Sequence, residues 1–138
     1  MPSGSSSEEQ LPIGGKEIIL LVDDEASIRD FASKALQHFG YTVITADCGE
    51  KALNSFIAQR DKIDLVILDI GMPGMGGHRC LCEILQIDQT AKIIIASGYA
   101  VDGQVKKSLE AGAAEYVGKP YQLNELLIKV RSVLDGKK

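Results

Sequence analysis

Five short aliphatic runs alternate along the chain with five stretches whose apolar residues recur every three or four positions. The aliphatic runs lack polar alternation, which is typical of strands buried on both faces of a sheet. These predicted strands are Ile18–Val22, Tyr41–Ala46, Leu65–Leu68, Ile93–Ala96 and Ala114–Val117. The first periodic stretch predicts a helix whose buried face carries Ile28, Phe31, Ala32, Ala35, Leu36 and Phe39.

The other four periodic stretches predict helices of the same kind. Their inward residues are Ala52, Leu53, Phe56 and Ile57, then Leu81, Ile84 and Leu85, then Val101, Val105 and Leu109, and finally Leu123, Leu126, Leu127, Val130, Val133 and Leu134. Asp47 with Glu50 three positions later predicts a capping box at the second helix. Five strand–helix units in series predict an α/β fold with an open, doubly wound parallel sheet and helices on two faces.

Polar residues follow four of the five predicted strands. Asp23 and Asp24 end the first strand, Asp69 the third, Ser97 the fourth and Lys119 the fifth. Ligands of such sheets bind outside the carboxyl ends of the strands, so these side chains are expected at one site. Taken singly, each has a structural explanation, and Asp24 in particular could cap the first helix.

Taken together, the five polar residues favour chemistry on a phosphoryl group. Two carboxylates about 4 Å apart repel by roughly 4 kcal/mol at an effective dielectric constant near 20, so a cluster of three requires a cation or shifted pKa values. An all-oxygen ligand set without histidine or cysteine favours Mg²⁺. Lys119 could pair with an anion, Ser97 could donate a hydrogen bond to it, and one aspartate could be the nucleophile.

Composition narrows the function further. The 138 residues carry a formal net charge of −4, which argues against a nucleic-acid or anionic-membrane surface. The longest aliphatic run, Ile18–Val22, is far too short to span a membrane. Three cysteines predict no disulfide framework, and Cys80-x-Cys82 lacks metal-ligand spacing, so all three are interpreted as buried or half-buried thiols. His38 and His78 are expected on helix surfaces.

The two ends of the chain differ from its middle. Residues 1–15 are rich in serine, glycine and proline without apolar periodicity, which predicts a disordered linker or an artificial extension. Residues 136–138 are interpreted as a tail. The folded domain is therefore expected over residues 16–135.

Four motifs in order resemble those of response-regulator receiver domains, the phosphoacceptor modules of two-component signalling. The motifs are Leu-Val-Asp23-Asp24-Glu25, Leu-Asp69-Ile-Gly-Met72-Pro73-Gly-Met75-Gly-Gly77, Ile-Ile-Ala-Ser97-Gly98 and Tyr116-Val-Gly-Lys119-Pro120-Tyr121. The resemblance covers residues 17–134. It implies a flavodoxin-like fold with five parallel strands in the order 2-1-3-4-5.

The resemblance also implies roles for the acidic residues. Asp69 matches the phosphoacceptor. Asp24 and Asp69 match the direct carboxylate ligands of Mg²⁺, together with the main-chain carbonyl of Gly71. Asp23 matches the residue that holds a metal-bound water.

The remaining motif residues match the switch of the family. Lys119 corresponds to the lysine that pairs with the phosphoryl group, and its bond to Pro120 corresponds to one that is usually cis. Ser97 matches the hydroxyl that follows the phosphoryl group on activation. Tyr116 matches the aromatic side chain that turns inward with it, which changes a surface formed by helix 4, strand 5 and helix 5.

The family implies a cytoplasmic module that is not an enzyme in its own right. Its expected partner is a histidine kinase or a histidine phosphotransfer protein, with no direct binding to nucleic acid or membrane and an output domain that is unknown. The stretch Gly77-His-Arg-Cys-Leu is similar to receivers of hybrid sensor kinases, which makes a hybrid histidine kinase one candidate parent.

Three other classes were weighed against this interpretation. A haloacid-dehalogenase-like phosphatase would require Asp-x-Asp after its first strand and a longer chain, whereas Asp23-Asp24-Glu25 stands there. Neither phosphate-binding glycine motif of the nucleotide-binding folds occurs. A pseudo-receiver that only docks partners is disfavoured because all matching site residues are present.

Overall fold

One parallel sheet forms the centre of the molecule. The computed structural model describes residues 14–72, 76–98 and 103–136. The strands are β1 (Ile18–Val22), β2 (Thr42–Ala46), β3 (Leu65–Asp69), β4 (Ile93–Ser97) and β5 (Glu115–Gly118). The helices are α1 (Ala26–His38), α2 (Gly49–Gln59), α3 (Gly77–Ile87), α4 (Gly103–Ala111) and α5 (Leu123–Leu134). The strand order β2-β1-β3-β4-β5 confirms the predicted flavodoxin-like fold.

Two separate apolar clusters cover the faces of the sheet. Successive strand residues point to opposite faces, so Ile19 packs in the cluster of α1 and α5, whereas Leu20 packs in the cluster of α2, α3 and α4. All five residues of β3 are buried. This central strand therefore holds its last residue, Asp69, at a fixed place on the sheet edge.

Four apolar residues that were predicted to face inward are exposed instead. Their exposed fractions are 51% for Phe31, 54% for Ile57, 39% for Leu109 and 36% for Leu123. Each of these residues lies at the margin of the apolar stripe of its helix. Only the residues of a stripe that contact the sheet or a neighbouring helix become buried.

The predicted capping box at α2 is also wrong. Cys48 is the N-cap residue of α2, and no side chain caps the helix there. The Asp47 carboxylate instead forms an ion pair with Lys51 Nζ at 3.3 Å. The helix begins one residue later than the sequence pattern indicated.

The last residues of the predicted N-terminal linker contact the domain. The Gly15 N–H donates to the Phe39 carbonyl at 3.1 Å, and Arg131 donates to the Gly14 carbonyl at 3.3 Å. The same guanidinium donates to Glu17 Oε2 at 2.7 Å. Residues 1–13, 137 and 138 lie outside the described residues, so the predicted linker and tail are not described there. Val101, which was predicted to face inward from the fourth helix, also lies outside them. No helix in the described ranges has the length and apolarity that a membrane span requires.

Gly77 lets the first turn of α3 lie directly against the end of β3. A Cβ atom on Gly77 would overlap the Ile70 Cα and the Asp69 carbonyl oxygen, which are backbone atoms with little freedom to move. The preceding Gly76 has more room, since its Cβ would lie 3.7 Å from the Met72 carbonyl oxygen. The close approach at Gly77 therefore supports the segment that carries Asp69.

We expect Gly77→Ala to lower the free energy of unfolding by about 1–3 kcal/mol, because overpacking against backbone outweighs the helix propensity gained. Gly76→Ala is the matched control and should change it by less than about 0.5 kcal/mol. Urea unfolding followed by circular dichroism measures both. Equal effects of the two substitutions would contradict the close approach.

Candidate functional site

Three carboxylates converge where β1 and β3 end. One oxygen from each of Asp23, Asp24 and Asp69 lies within 4.8 Å of the others. Asp23 and Asp69 are buried, whereas Asp24 is exposed. β1 and β3 are hydrogen-bonded neighbours in the sheet, so their ends necessarily meet. The structure thus brings together the acidic residues that the sequence placed at this edge.

Lys119 reaches this acidic cluster from the end of β5. Its Nζ lies 2.9 Å from Asp23 Oδ2 and 3.0 Å from Asp69 Oδ2. The Lys119 N–H donates to the Ser97 carbonyl at 2.8 Å, and the Lys119–Pro120 peptide bond is cis. The lysine is therefore fixed at both its backbone and its ammonium group.

Burial and pairing act in opposite directions on the charged groups. Burial raises the pKa of Asp23, and the charge of Asp69 raises it further, while the Glu25 N–H and Lys119 oppose that shift. Burial favours a lower pKa for Lys119, but its pairing with the carboxylates of Asp23 and Asp69 prevails and raises that pKa. The lysine is therefore held as a cation, and Asp23 carries a charge that burial disfavours.

A cavity of about 580 Å³ opens in front of Asp69. Among the predicted site residues, its lining includes Asp24, Asp69, Gly71, Ser97 and Lys119. The Asp69 carboxylate is oriented from both sides, because Oδ1 accepts from the Gly71 N–H at 2.9 Å and Oδ2 accepts from Lys119. A small anionic group in this cavity would meet the carboxylate, the ammonium group and the Ser97 side of β4.

Tyr116, the predicted switch residue, does not line the cavity. It is half-buried on β5 and packs against the cluster of α2, α3 and α4. A Cβ atom on Gly118 would lie 3.8 Å from the Tyr116 hydroxyl. Gly118 pairs with Ser97 across the β4–β5 ladder. Tyr116 therefore lies on β5, the strand that pairs with β4 and Ser97, and does not itself reach the cavity.

Some residues of the site were missed by the sequence analysis. Arg29 donates to the main-chain carbonyl of Asp23 at 2.7 Å, and the Glu25 N–H donates to Asp23 Oδ1 at 2.9 Å. The structural alternative for Asp24 is not observed, since Glu25 is the N-cap residue of α1 and no side chain caps that helix. The sequence did offer a signal for Arg29. It is a basic residue in the first turn of the helix that follows Asp23 and Asp24.

From the sequence, Tyr121 was named only as the end of a motif and was given no role at the site. It is 8% exposed, and its hydroxyl has no hydrogen-bond partner among the described residues. Burial raises the pKa of this phenol, and the charges of Asp23 and Asp69 raise it further. The Tyr121 phenol is therefore a neutral, buried group near the carboxylates of Asp23 and Asp69.

The donor set fits a hard divalent cation. All three converging groups offer carboxylate oxygen, the ligand type that Mg²⁺ prefers. The cluster holds three carboxylates, and the Lys119 ammonium group pairs with two of them, so a bound cation would relieve the remaining repulsion. Among the residues that the structure describes, no histidine or cysteine belongs to the cluster, which disfavours zinc.

Comparison with known proteins identifies related sequences over most of the chain. The model of the family described as "Response regulator receiver domain" matches residues 19–131. The probable transcriptional regulator ycf27 of Guillardia theta is 41% identical over 119 residues, covering 86% of this chain and 46% of its own length. The chain thus spans about half the length of that curated relative.

Two further relatives are covered almost end to end. The chemotaxis protein CheY of Treponema pallidum is 36% identical over 126 residues, covering 91% of this chain and 88% of that protein. The structure also resembles a chain from the crystal structure of the CheX-CheY-BeF3-Mg+2 complex of Borrelia burgdorferi. That similarity has a TM-score of 0.81 with 33% identity, and it covers 85% of this chain and 88% of that one.

We expect Asp23→Asn to stabilise the fold at neutral pH. The change removes a buried charge, while Lys119 keeps Asp69 as its partner, so the expected gain is on the order of 1 kcal/mol. A carboxyl whose pKa is raised on folding destabilises the native state when ionised. The gain should therefore shrink as the pH falls through the pKa of Asp23 and the wild-type carboxyl becomes neutral.

Urea unfolding between pH 7 and pH 4, without added metal, measures this difference. Asp47→Asn is the control, because Asp47 is an exposed carboxylate at the end of β2. A loss of stability in Asp23→Asn at pH 7, or a gain that does not change with pH, would contradict the assignment of burial as the dominant effect.

Proposed function

The chain belongs to the response regulator receiver domain family, and from this premise we propose that Asp69 is its phosphoacceptor. The phosphoryl donor is the phosphohistidine of a cytoplasmic histidine kinase or histidine phosphotransfer protein. The observation that carries the proposal is the Asp69 carboxylate itself. It is only 4% exposed, is held by the Gly71 N–H and Lys119, and opens into a cavity of suitable size for a phosphoryl group.

The transfer needs positioning and charge neutralisation more than additional covalent chemistry. A carboxylate oxygen of Asp69 forms a bond to phosphorus while the P–N bond to the partner's imidazole breaks. The imidazole leaves with the electrons of that bond. Because Lys119 already contacts Asp69, its ammonium group is placed to neutralise charge on the transferring phosphoryl oxygens.

We assign the metal ligands from the same arrangement. Asp24, Asp69 and the main-chain carbonyl of Gly71 would hold Mg²⁺ directly, and Asp23 would hold it through a water molecule. When bound, Mg²⁺ neutralises negative charge on the phosphoryl oxygens. The exposure of Asp24 leaves room on its side of the cluster for the water molecules that Mg²⁺ retains.

The switch acts through β4 and β5. Ser97 is buried at the cavity wall, so the phosphoryl group on Asp69 would offer its hydroxyl a hydrogen-bond acceptor present only in the modified state. Movement of Ser97 changes the space beside Gly118 and Tyr116 on the neighbouring strand. The surface of α4, β5 and α5 is therefore the proposed output of phosphorylation, and the domain acts as an acceptor rather than as an enzyme with a separate substrate.

We expect Asp69→Asn to abolish phosphorylation while the fold is kept, because the amide has nearly the volume of the carboxyl but is not a nucleophile. Phosphoramidate is the donor, since its P–N bond reproduces that of phosphohistidine. Intact-mass measurement should show one added phosphoryl group in the wild type with Mg²⁺, and a strong reduction when a chelator removes the metal. Asp47→Asn is the control and should be labelled normally. Equal labelling of Asp69→Asn would refute the assignment.

We expect Ser97→Ala to accept the phosphoryl group but to lose most of the conformational response. Beryllofluoride, which mimics the phosphoryl group on Asp69, should shift the NMR amide signals of α4 and β5 in the wild type and leave α2 almost unchanged. Ser33→Ala, a half-buried serine of α1, is the matched control. A response that is the same in Ser97→Ala, or that is spread evenly over all five helices, would count against this mechanism.

A further inference from the structure

His78, Cys82 and Ser108 form a polar contact between α3 and α4. The two side chains on α3 are four residues apart, so they lie on the same face of that helix. Cys82 Sγ lies 3.7 Å from His78 Nε2, and Ser108 Oγ lies 3.0 Å from His78 Nδ1. The expectation that His78 is a surface residue is wrong, because the ring is half-buried between the two helices.

The separation of the two α3 atoms matches that of two ligands on one metal ion. Zn–S bonds of about 2.3 Å and Zn–N bonds of about 2.0–2.1 Å at a tetrahedral angle place sulfur and nitrogen about 3.6 Å apart. The observed distance is 3.7 Å. A separation in this range is compatible with both atoms binding one ion.

Ser108 supplies the support that a metal-binding imidazole requires. A histidine that binds metal through one ring nitrogen usually donates its other N–H to a fixed acceptor, which sets the tautomer and the ring orientation. Ser108 is completely buried, so its hydroxyl has a fixed position. An imidazole with its proton on Nδ1 donates to Ser108 Oγ and presents the lone pair of Nε2 toward Cys82.

The other two cysteines do not share this arrangement. Cys80 is buried and donates to the Gly49 carbonyl at 3.7 Å. Burial raises the pKa of its thiol to about 12, so it stays protonated at neutral pH and is a poor ligand. Cys48 is half-buried, but it stands at the start of α2 rather than on α3.

We propose that His78 Nε2 and Cys82 Sγ form a binding site for a thiophilic transition-metal ion such as Zn²⁺, with Ser108 as the residue that positions the imidazole. Water would complete the tetrahedral coordination. Binding replaces the proton of the Cys82 thiol, which passes to solvent, so affinity increases with pH. Because Ser108 belongs to α4, an occupied site would fix α3 and α4 to one another. The proposal does not depend on the role of Asp69.

Co²⁺ is the probe, because cobalt bound to a thiolate absorbs in the near ultraviolet and cobalt bound only to carboxylates does not. The experiment uses the full chain with its carboxylate cluster intact, and excess Mg²⁺ occupies that cluster. We expect a thiolate-to-cobalt band that Zn²⁺ removes by displacement. Cys82→Ser and His78→Gln should each abolish the band, and Ser108→Ala should weaken Co²⁺ binding about 10-fold or more. Cys48→Ser is the matched control and should leave it unchanged.

A second measurement tests the unsubstituted protein, in case a variant fails to fold. Zn²⁺ should slow alkylation of Cys82 by iodoacetamide, read by peptide mass spectrometry, while alkylation of Cys48 keeps its rate. The proposal is overturned if no thiolate band forms, if the band survives Cys82→Ser or His78→Gln, or if Zn²⁺ protects Cys48 as strongly as Cys82.

Discussion

The electrostatic imbalance at the carboxyl edge of the sheet is the constraint on which the site depends. β1 and β3 are adjacent, so Asp23 and Asp69 are forced together at their ends, and Asp24 joins them. The two buried carboxylates would repel each other strongly in an apolar setting. Lys119, delivered by β5, compensates part of that charge at 2.9 and 3.0 Å. The remaining negative charge would favour the binding of a metal cation at this edge.

The fold keeps these charged groups in place through backbone contacts. Arg29 binds the carbonyl of Asp23, the Gly71 N–H binds the carboxylate of Asp69, and the close packing at Gly77 fixes the segment that follows β3. Further along, Lys129 donates to the Tyr116 carbonyl at 2.5 Å, and its ammonium group lies 5.2 Å from the centre of the Tyr116 ring. Lys129 therefore contacts both the main chain and the ring of Tyr116 in the observed arrangement.

The features that could be predicted from the sequence are those that depend on local residue patterns. The aliphatic run before Asp69 identifies a buried strand, and the rule that ligands bind at strand ends then places the polar residues on one edge. The roles of Arg29 and Tyr121, by contrast, arise from side chains that meet through the tertiary fold. Phe31 was predicted to be buried because helical periodicity identifies a stripe but not its width. The contact of His78 with Ser108 joins residues 30 positions apart, and no spacing rule connects them.

Lys119 also explains how the site can receive a phosphoryl group without losing its structure. An ammonium group has three N–H donors. Asp69 accepts one of them, Asp23 Oδ2 forms an ion pair with the ammonium group at 2.9 Å, and Glu25 lies at 4.0 Å, too far for a hydrogen bond. A donor that Asp69 does not accept can therefore bind a phosphoryl oxygen while the contacts with Asp23 and Asp69 persist. The same lysine that makes the buried carboxylates tolerable in the resting protein can in this way stabilise the charge of the transferred group.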